Sequence, residues 1–134
     1  MATHPYLHFR GQCTEAMTYY ASVFDGTDLQ MLPYSQMPGG DAREGSDDRI
    51  MHAQMTIGDG VLMASDFAPG TEGDPQKAVS VMQVAPDGET AKRWFDRLEE
   101  GSDIIFPFGP TFFSPSFAML RDKFGTHWII SAQA

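Results

Sequence analysis

Cysteine, positive charge and long hydrophobic runs are all scarce in this 134-residue sequence. Its single cysteine, Cys13, excludes an intrachain disulfide and therefore a secreted fold held together by disulfides. Nine basic against eighteen acidic side chains give a net charge of −9, which disfavours contact with nucleic-acid phosphates. Because no apolar run is long enough to span a membrane and residues 1–5 lack the pattern of a signal peptide, we expect a cytoplasmic protein with neither nucleic-acid nor membrane partners.

Hydrophobic residues recur at helical spacing in two segments, which predicts two amphipathic helices. The first covers residues 14–25, with Thr14 as the expected N-cap and Gly26 as the left-handed C-terminal cap. The second begins after Asp87, a good capping residue, and ends at Gly101. The side chains expected to face the core from this second helix are Ala91, Trp94, Phe95 and Leu98.

Short runs rich in β-branched and aromatic residues, separated by turn signals, predict eight strands. Gly58-Asp59-Gly60 has the length and composition of a hairpin turn. Glycine, proline and acidic residues dominate two other segments, 37–48 and 68–75, which predicts surface loops there. The strands are expected at residues 6–9, 27–35, 49–57, 61–66, 78–84, 103–108, 115–122 and 126–132.

The predicted elements run strand, helix and three strands, and then repeat in the same order. This pattern predicts an α+β fold in which two βαβββ repeats form curved, mostly antiparallel sheets around a cavity. We expect one domain over residues 1–134, with repeat one at about 1–66, a linker at 67–77 and repeat two at about 78–134. The cavity is the place where a binding site is expected.

Residue alternation along the strands selects side chains for the cavity wall. His52 and Gln54 alternate with apolar residues that suit packing against a helix, and Tyr6 and His8 share one face of the first strand. Methionine adapts to irregular ligands, and aromatic rings stack on planar ones. The candidate ligand-binding residues are Tyr6, His8, His52, Gln54, Met63, Phe106 and Trp128.

Cys13 lies at the predicted junction between the first strand and the first helix. The positive end of a helix dipole lowers a thiol pKa, so one interpretation is a reactive cysteine. No base can be assigned to it from the sequence, and cysteines without such a partner usually pack as small hydrophobic residues. We therefore favour a buried structural role.

Motifs occur at both ends of the chain and in its middle, at Pro5–Gly11, Glu15-Ala16, Tyr19-Tyr20, His52-Ala53, Ile57-Gly58, Met63–Asp66, Lys92–Phe95, Asp122–Gly125 and Trp128. These motifs resemble those of the vicinal oxygen chelate superfamily, more narrowly its PhnB-like branch. The resemblance covers nearly the whole chain and implies the same duplicated βαβββ fold. Members of the branch often carry the label of a 3-demethylubiquinone-9 3-methyltransferase.

The resemblance also implies a divalent metal, held by His and Glu side chains of the outer strands, that acts as a Lewis acid on the substrate. On the first strand His4 or His8 could serve as a ligand. The other corresponding positions have Met63 and Ser65, residues 79–81, and residues 128–131, so at most one of the four expected ligands is present. We therefore expect no metal and no other cofactor. The alternative is a relocated metal site formed by His8, His52 and Asp66.

Two functions remain open at this point. The favoured one is a metal-free protein that binds a small, partly aromatic, neutral or cationic molecule in its cavity. The alternative is a metal-dependent lyase, isomerase or dioxygenase that uses the relocated His/Asp site, so whether the protein is an enzyme is left undecided. The resemblance further implies a homodimer, and exposed edge strands give a physical reason for such pairing.

Overall fold

A computed structural model describes residues 1–36, 48–71 and 73–133 of the chain. They divide into two compact units, Met1–Pro75 (unit 1) and Gln76–Ala134 (unit 2). The surface loop predicted for residues 37–48 lies outside the described residues except for Asp48. Within the described ranges, no helix has both the length and the apolar character needed to cross a membrane.

Unit 1 is a four-stranded sheet with one helix, and its strands lie in the order β1-β4-β3-β2. The β1–β4 pair is parallel, whereas β4–β3 and β3–β2 are antiparallel. A short 3-10 turn, Tyr34–Gln36, follows β2. The elements are β1 (Tyr6–Phe9), α1 (Cys13–Phe24), β2 (Thr27–Pro33), β3 (Ile50–Ile57) and β4 (Gly60–Asp66).

Unit 2 repeats this arrangement with the strand order β5-β8-β7-β6, again with one parallel and two antiparallel pairs. Pro107 lies within β6, which is tolerated because β6 is an edge strand. The two βαβββ repeats and the α+β class predicted from the sequence are thus confirmed. The elements are β5 (Ser80–Ala85), α2 (Gly88–Glu99), β6 (Asp103–Gly109), β7 (Phe117–Arg121) and β8 (His127–Ala132).

Each helix packs on one face of its own sheet and buries the apolar residues of that face. In unit 1 the buried strand residues alternate with half-buried or exposed ones, as the period of two requires. The opposite side of this sheet, which we call the helix-free face of unit 1, carries Tyr6 and His8 from β1 and His52 and Gln54 from β3. The core of unit 1 includes Leu7, Phe9, Ala16, Met17, Tyr20, Val23, Ala53, Met55, Ile57, Leu62 and Ala64.

The predicted caps of α1 are wrong at both ends. The helix begins at Cys13, so Thr14 lies inside it, and the N-cap residue Gln12 makes no side-chain hydrogen bond. At the C-terminus Asp25, rather than Gly26, adopts the left-handed conformation, with φ 56° and ψ 44°. Gly26 has a packing role instead, because a Cβ atom at this position would lie 2.6 Å from Sδ of the buried Met55.

By contrast, the predicted N-cap and core residues of α2 are confirmed. The Asp87 carboxylate accepts a hydrogen bond from the backbone N–H of Thr90 at 2.7 Å. This bond lowers the pKa of Asp87, because it favours the charged form of the carboxyl group. Gly101, with φ +73°, ends the helix region. The four predicted core residues of α2 are all buried.

Ala78 gives a first testable prediction, because its φ of 60° is unfavourable for a residue with a Cβ atom. It is exposed and lies just before β5, which explains why that strand starts at Ser80 rather than at residue 78. Ala78→Gly is expected to raise the free energy of unfolding by about 1 kcal/mol, measured by urea denaturation. Ala68→Gly, at an ordinary φ, should lower it slightly, and destabilisation by Ala78→Gly would contradict the explanation.

Candidate functional site

Three polar side chains form a hydrogen-bonded chain on the helix-free face of unit 1. The Tyr6 hydroxyl lies 2.9 Å from Nδ1 of His52, and Nε2 of His52 lies 2.9 Å from Oε1 of Gln54. Tyr6 belongs to β1 and the other two to β3, so the chain crosses the intervening strand β4. Two strand spacings separate β1 from β3 by roughly 10 Å, a gap that the phenol and imidazole rings together bridge.

Strand register explains why these residues meet. Tyr6 pairs with Met63 of β4, and Met63 pairs in turn with Gln54 of β3. Residues that are directly paired across neighbouring strands point to the same side of a sheet. Tyr6, Met63 and Gln54 therefore form one row across the helix-free face, and four of the predicted site residues, these three and His52, come together there.

His8 adds a third ring to the same face, beside those of Tyr6 and His52. Its ring stacks on that of Phe67 with centroids 5.4 Å apart and an interplanar angle of 19°, and its centroid is 5.2 Å from that of Tyr6. The Tyr6 and His52 rings are in contact as well, at 5.6 Å. The result is a continuous surface of rings with hydrogen-bonding atoms at its edge, which suits a planar ligand with a polar substituent.

Asp66 lies on the opposite side of the sheet from His8 and His52. Alternation along β4 places it with the buried Leu62 and Ala64, and it is itself 1% exposed. Its Oδ1 accepts hydrogen bonds from the backbone N–H groups of Gly11 and Cys13, at 2.8 and 3.0 Å, and its Oδ2 accepts one from Ile50 at 2.9 Å. The carboxylate thus caps the N-terminus of α1, the role that the sequence assigned to Thr14.

The residues present do not fit the divalent metal that the resemblance implies. The structure keeps the three members of the relocated site, His8, His52 and Asp66, on two faces of the sheet, and the Asp66 carboxylate already accepts three backbone hydrogen bonds. Within residues 1–36, 48–71 and 73–133, no three His, Cys, Asp or Glu side chains form a group that could hold a metal ion.

Phe106 and Trp128, the two predicted site residues of unit 2, lie on opposite faces of its sheet. Phe106 is 41% exposed on β6 and contacts Phe117 edge to face at 5.4 Å. Trp128 faces α2, is 1% exposed and donates its indole N–H to Asp122 at 2.8 Å. An enclosed side chain offers a ligand no surface, so Trp128 is not a candidate ligand-binding residue. Its neighbour in β8, the half-buried His127, lies on the helix-free side of the sheet.

Sequence reasoning missed several residues on the two helix-free faces. Register places Gln30 beside Gln54 and Leu32 beside His52, a placement that alternation along β2 could have suggested. Phe67, which stacks on His8, follows the last strand of unit 1 and gave no periodic signal. In unit 2 register adds Val84 and Ile129 to the helix-free face.

Cys13 is fully buried, and burial together with the nearby Asp66 carboxylate raises its pKa to about 12. The thiol is therefore protonated at neutral pH, which confirms the structural interpretation rather than the reactive one.

We expect 5,5′-dithiobis(2-nitrobenzoate) to modify Cys13 at pH 8 only after urea unfolding. Because the unfolded thiol ionises at lower pH than the folded one, Cys13 favours folding below pH 9 and loses this effect as the pH rises towards 12. Rapid modification of the folded protein would contradict this account.

The duplicated βαβββ arrangement defines the class of protein. The fosfomycin resistance protein FosX from Mesorhizobium loti has the same fold, with a TM-score of 0.61 over 100% of this chain and 92% of that one, at 13% identity. At this identity the likeness concerns the fold alone. Together with the sequence motifs, it places the protein in the vicinal oxygen chelate superfamily.

Two further comparisons and a family match narrow this class. Residues 2–131 match the family described as 3-demethylubiquinone-9 3-methyltransferase, the label typical of the PhnB-like branch. Protein YjdN of Escherichia coli K12 is 30% identical over 98% of this chain and 95% of its own. Protein PA1353 from Pseudomonas aeruginosa is 36% identical, with a TM-score of 0.89 over 99% of this chain and 98% of that one. The chain therefore belongs to this family, the PhnB-like branch of the superfamily.

Proposed function

We propose that this protein binds a small, planar, neutral or cationic molecule on the helix-free face of unit 1. The observation that carries the proposal is the hydrogen-bonded chain of Tyr6, His52 and Gln54 beside the stacked rings of His8 and Phe67. Rings supply stacking area, and the amide and hydroxyl groups supply directional contacts, the combination common in ligand sites. The net charge of −9 disfavours anionic ligands.

We also propose that binding proceeds without a divalent metal. The helix-free face of unit 1 offers a ligand a phenol, imidazoles and amides, and none of these groups is an anion. The carboxylate of β4, Asp66, lies on the other face and caps α1. Hard divalent cations prefer carboxylate oxygens, and transition metals in this fold need several converging donors. In the described part of the chain, no group of side chains supports the metal-dependent alternative.

Methyl transfer, the activity in the family's description, is not part of the proposal. A nucleotide-like methyl donor is usually held by a glycine-rich loop between a strand and a helix, where the backbone must approach the cofactor closely. Here the two strand-to-helix connections are residues 10–12 and 86–87, and only Gly11 among them is a glycine. The Gly58-Asp59-Gly60 segment joins two strands instead.

Ligand identification tests the proposal directly. Protein purified without denaturation would be unfolded and its supernatant analysed by mass spectrometry, and neutral and cationic aromatic compounds would be screened by thermal shift. For a compound that binds, Gln54→Leu is expected to weaken affinity about tenfold through loss of one hydrogen bond. Thr56→Val, two residues further along the same strand, is the matched control and should stay within about twofold. Equal effects of the two variants would count against the proposed site.

We further propose a homodimer that resides in the cytoplasm. Each sheet ends in two edge strands, β1 and β2 in unit 1 and β5 and β6 in unit 2, and sheet edges favour pairing with a further strand. Apolar side chains are exposed on unit 2, including Met82 at 56% and Val84 at 46%. Light scattering at micromolar concentration is expected to give twice the chain mass of 14.8 kDa, and a monomeric mass would contradict this proposal.

A further inference from the structure

The hydrogen-bonded chain on the helix-free face of unit 1 has a defined direction. Oε1 of Gln54 is an acceptor, so the Nε2 atom of His52 that contacts it carries the hydrogen. In a neutral imidazole the other ring nitrogen is then an acceptor, and the Tyr6 hydroxyl donates to Nδ1. The imidazole lone pair is thus aimed at the phenolic proton, and Gln54 fixes the tautomer in which this is possible.

The geometry points to a proton-transfer site in which Tyr6 touches the substrate and His52 acts through it as a base. As the Tyr6 oxygen takes a proton from the substrate, its own proton passes to Nδ1 of His52. The substrate leaves as its conjugate base, and His52 becomes an imidazolium whose Nε2–H still donates to Gln54. The imidazolium then gives up one proton to solvent through the Tyr6 hydroxyl, which restores the neutral groups. The substrate class is a small neutral molecule with an acidic C–H, N–H or O–H bond.

Exposure of the three side chains fits these roles. Tyr6 is 41% exposed, so a molecule on the surface can reach its oxygen, whereas His52 and Gln54 are half-buried behind it. The three groups correspond in their order to the nucleophile, base and orienting group of a catalytic triad, because the base is partly shielded and acts through the exposed phenol. Gln54 corresponds to the orienting group, and its neutral amide stabilises the imidazolium by a hydrogen bond.

The neighbours of His52 determine which other groups could contribute to a pH dependence of the Tyr6 reaction. On β1 the neighbours are Tyr6 and His8, while the adjacent positions of β2 and β4 hold Leu32 and Ser65, which do not titrate in the neutral range. At the end of β4, Tyr34 and Arg49 donate to the backbone carbonyls of Asp66 and Phe67. His8 is therefore the other imidazole on this face, and because it belongs to the proposed binding surface the control variant is taken from unit 2.

Acetylation by N-acetylimidazole tests the base directly and needs no bound ligand. In this reaction the Tyr6 oxygen forms a bond to the acetyl carbon, the bond from that carbon to imidazole breaks, and the phenolic proton passes to His52. The departing imidazole takes a proton from water, and His52 returns its extra proton to solvent. Peptide mass spectrometry gives the rate at Tyr6 relative to Tyr19 in the same molecule. His52→Gln is expected to slow Tyr6 labelling by about tenfold or more, whereas His127→Gln, on β8 of unit 2, should change it less than about twofold.

The pH profile separates a base from a structural contact. In the unmodified protein the Tyr6 rate should rise in a step where the His52 imidazole loses its extra proton and becomes a free base, and His52→Gln should remove that step. A fall of less than about threefold in His52→Gln, or a step that persists in it, overturns the inference. The proton-transfer site rests on the proposed function, because its substrate would bind on the helix-free face of unit 1. The acetylation test does not depend on ligand binding, so the proton-transfer site and the binding function can fail separately.

Nitrogen-15 NMR of the unmodified protein provides a second test if His52→Gln does not fold. At a pH where His52 is neutral, its proton is expected on Nε2, with Nδ1 showing the shift of an unprotonated nitrogen. Gln54→Leu should lower the Tyr6 acetylation rate in the same direction as His52→Gln. A neutral His52 with its proton on Nδ1 overturns the inference, because that tautomer has no lone pair facing Tyr6.

Discussion

Asp66→Ala is expected to lower the free energy of unfolding by about 4 kcal/mol, measured by urea denaturation. The carboxylate is 1% exposed and accepts three backbone hydrogen bonds, from Gly11, Cys13 and Ile50. Its loss leaves three donors without their acceptor, two of them in buried hydrogen bonds, and removes the negative charge next to the positive end of α1. These donors belong to segments up to 55 residues away from Asp66, so the tertiary structure is affected as well as the helix.

Two variants make this prediction specific to the hydrogen bonds. Asp66→Asn keeps one acceptor oxygen but turns an amide N–H₂ towards a backbone donor, so it should cost about half as much as alanine. Asp59→Ala, in the exposed hairpin turn, should change the free energy of unfolding by less than about 0.5 kcal/mol. An effect of Asp66→Ala below about 1 kcal/mol would show that the carboxylate does not hold unit 1 together.

Asp122→Ala is the second large effect, with an expected loss of about 3 kcal/mol in unfolding free energy. This carboxylate is 3% exposed and accepts hydrogen bonds from the backbone of Phe124 and Thr126 and from the indole of Trp128, at 2.8, 3.0 and 2.8 Å. We expect a smaller cost than at Asp66, because these partners lie within six residues of Asp122 and the turn that they form is local.

Asp96→Ala is the matched control for this variant. Asp96 forms an exposed ion pair with Lys92 on α2, and such pairs contribute about 0.3–0.5 kcal/mol. Fluorescence of Trp128 provides an independent signal, because removal of Asp122 takes away the hydrogen-bond acceptor of its indole. If Asp122→Ala cost no more than Asp96→Ala, the buried carboxylate would have no structural role.

The fold was predictable because its signals are local. Periodicity identified the helices, turn residues separated the strands, and the repeated order of elements gave the duplicated architecture. The ends of α1 were not predictable in the same way, since its capping carboxylate, Asp66, lies 53 residues away from Cys13 in sequence. Asp87 caps α2 from the adjacent position, which is why that helix start was correct.

The candidate site was predictable only in part. Alternation identified the side of β3 that carries His52 and Gln54, but the contact with Tyr6 depends on the strand order β1-β4-β3, which no local pattern encodes. Trp128 was assigned to the wrong face although β8 carries a usable signal. The polar residues His127 and Ser131 alternate with the apolar Trp128, Ile130 and Ala132, and this apolar set packs on α2. That the remaining residues bind a ligand stays a prediction.

Metal analysis tests the central claim most directly, namely that the helix-free face of unit 1 is a metal-free binding surface. The protein would be dialysed against an equimolar mixture of Mn²⁺, Fe²⁺, Ni²⁺ and Zn²⁺, and its metal content measured by mass spectrometry beside that of His52→Ala. We predict far less than one metal ion per chain and no difference between the two proteins. One metal ion per chain that is lost in His52→Ala would contradict the account.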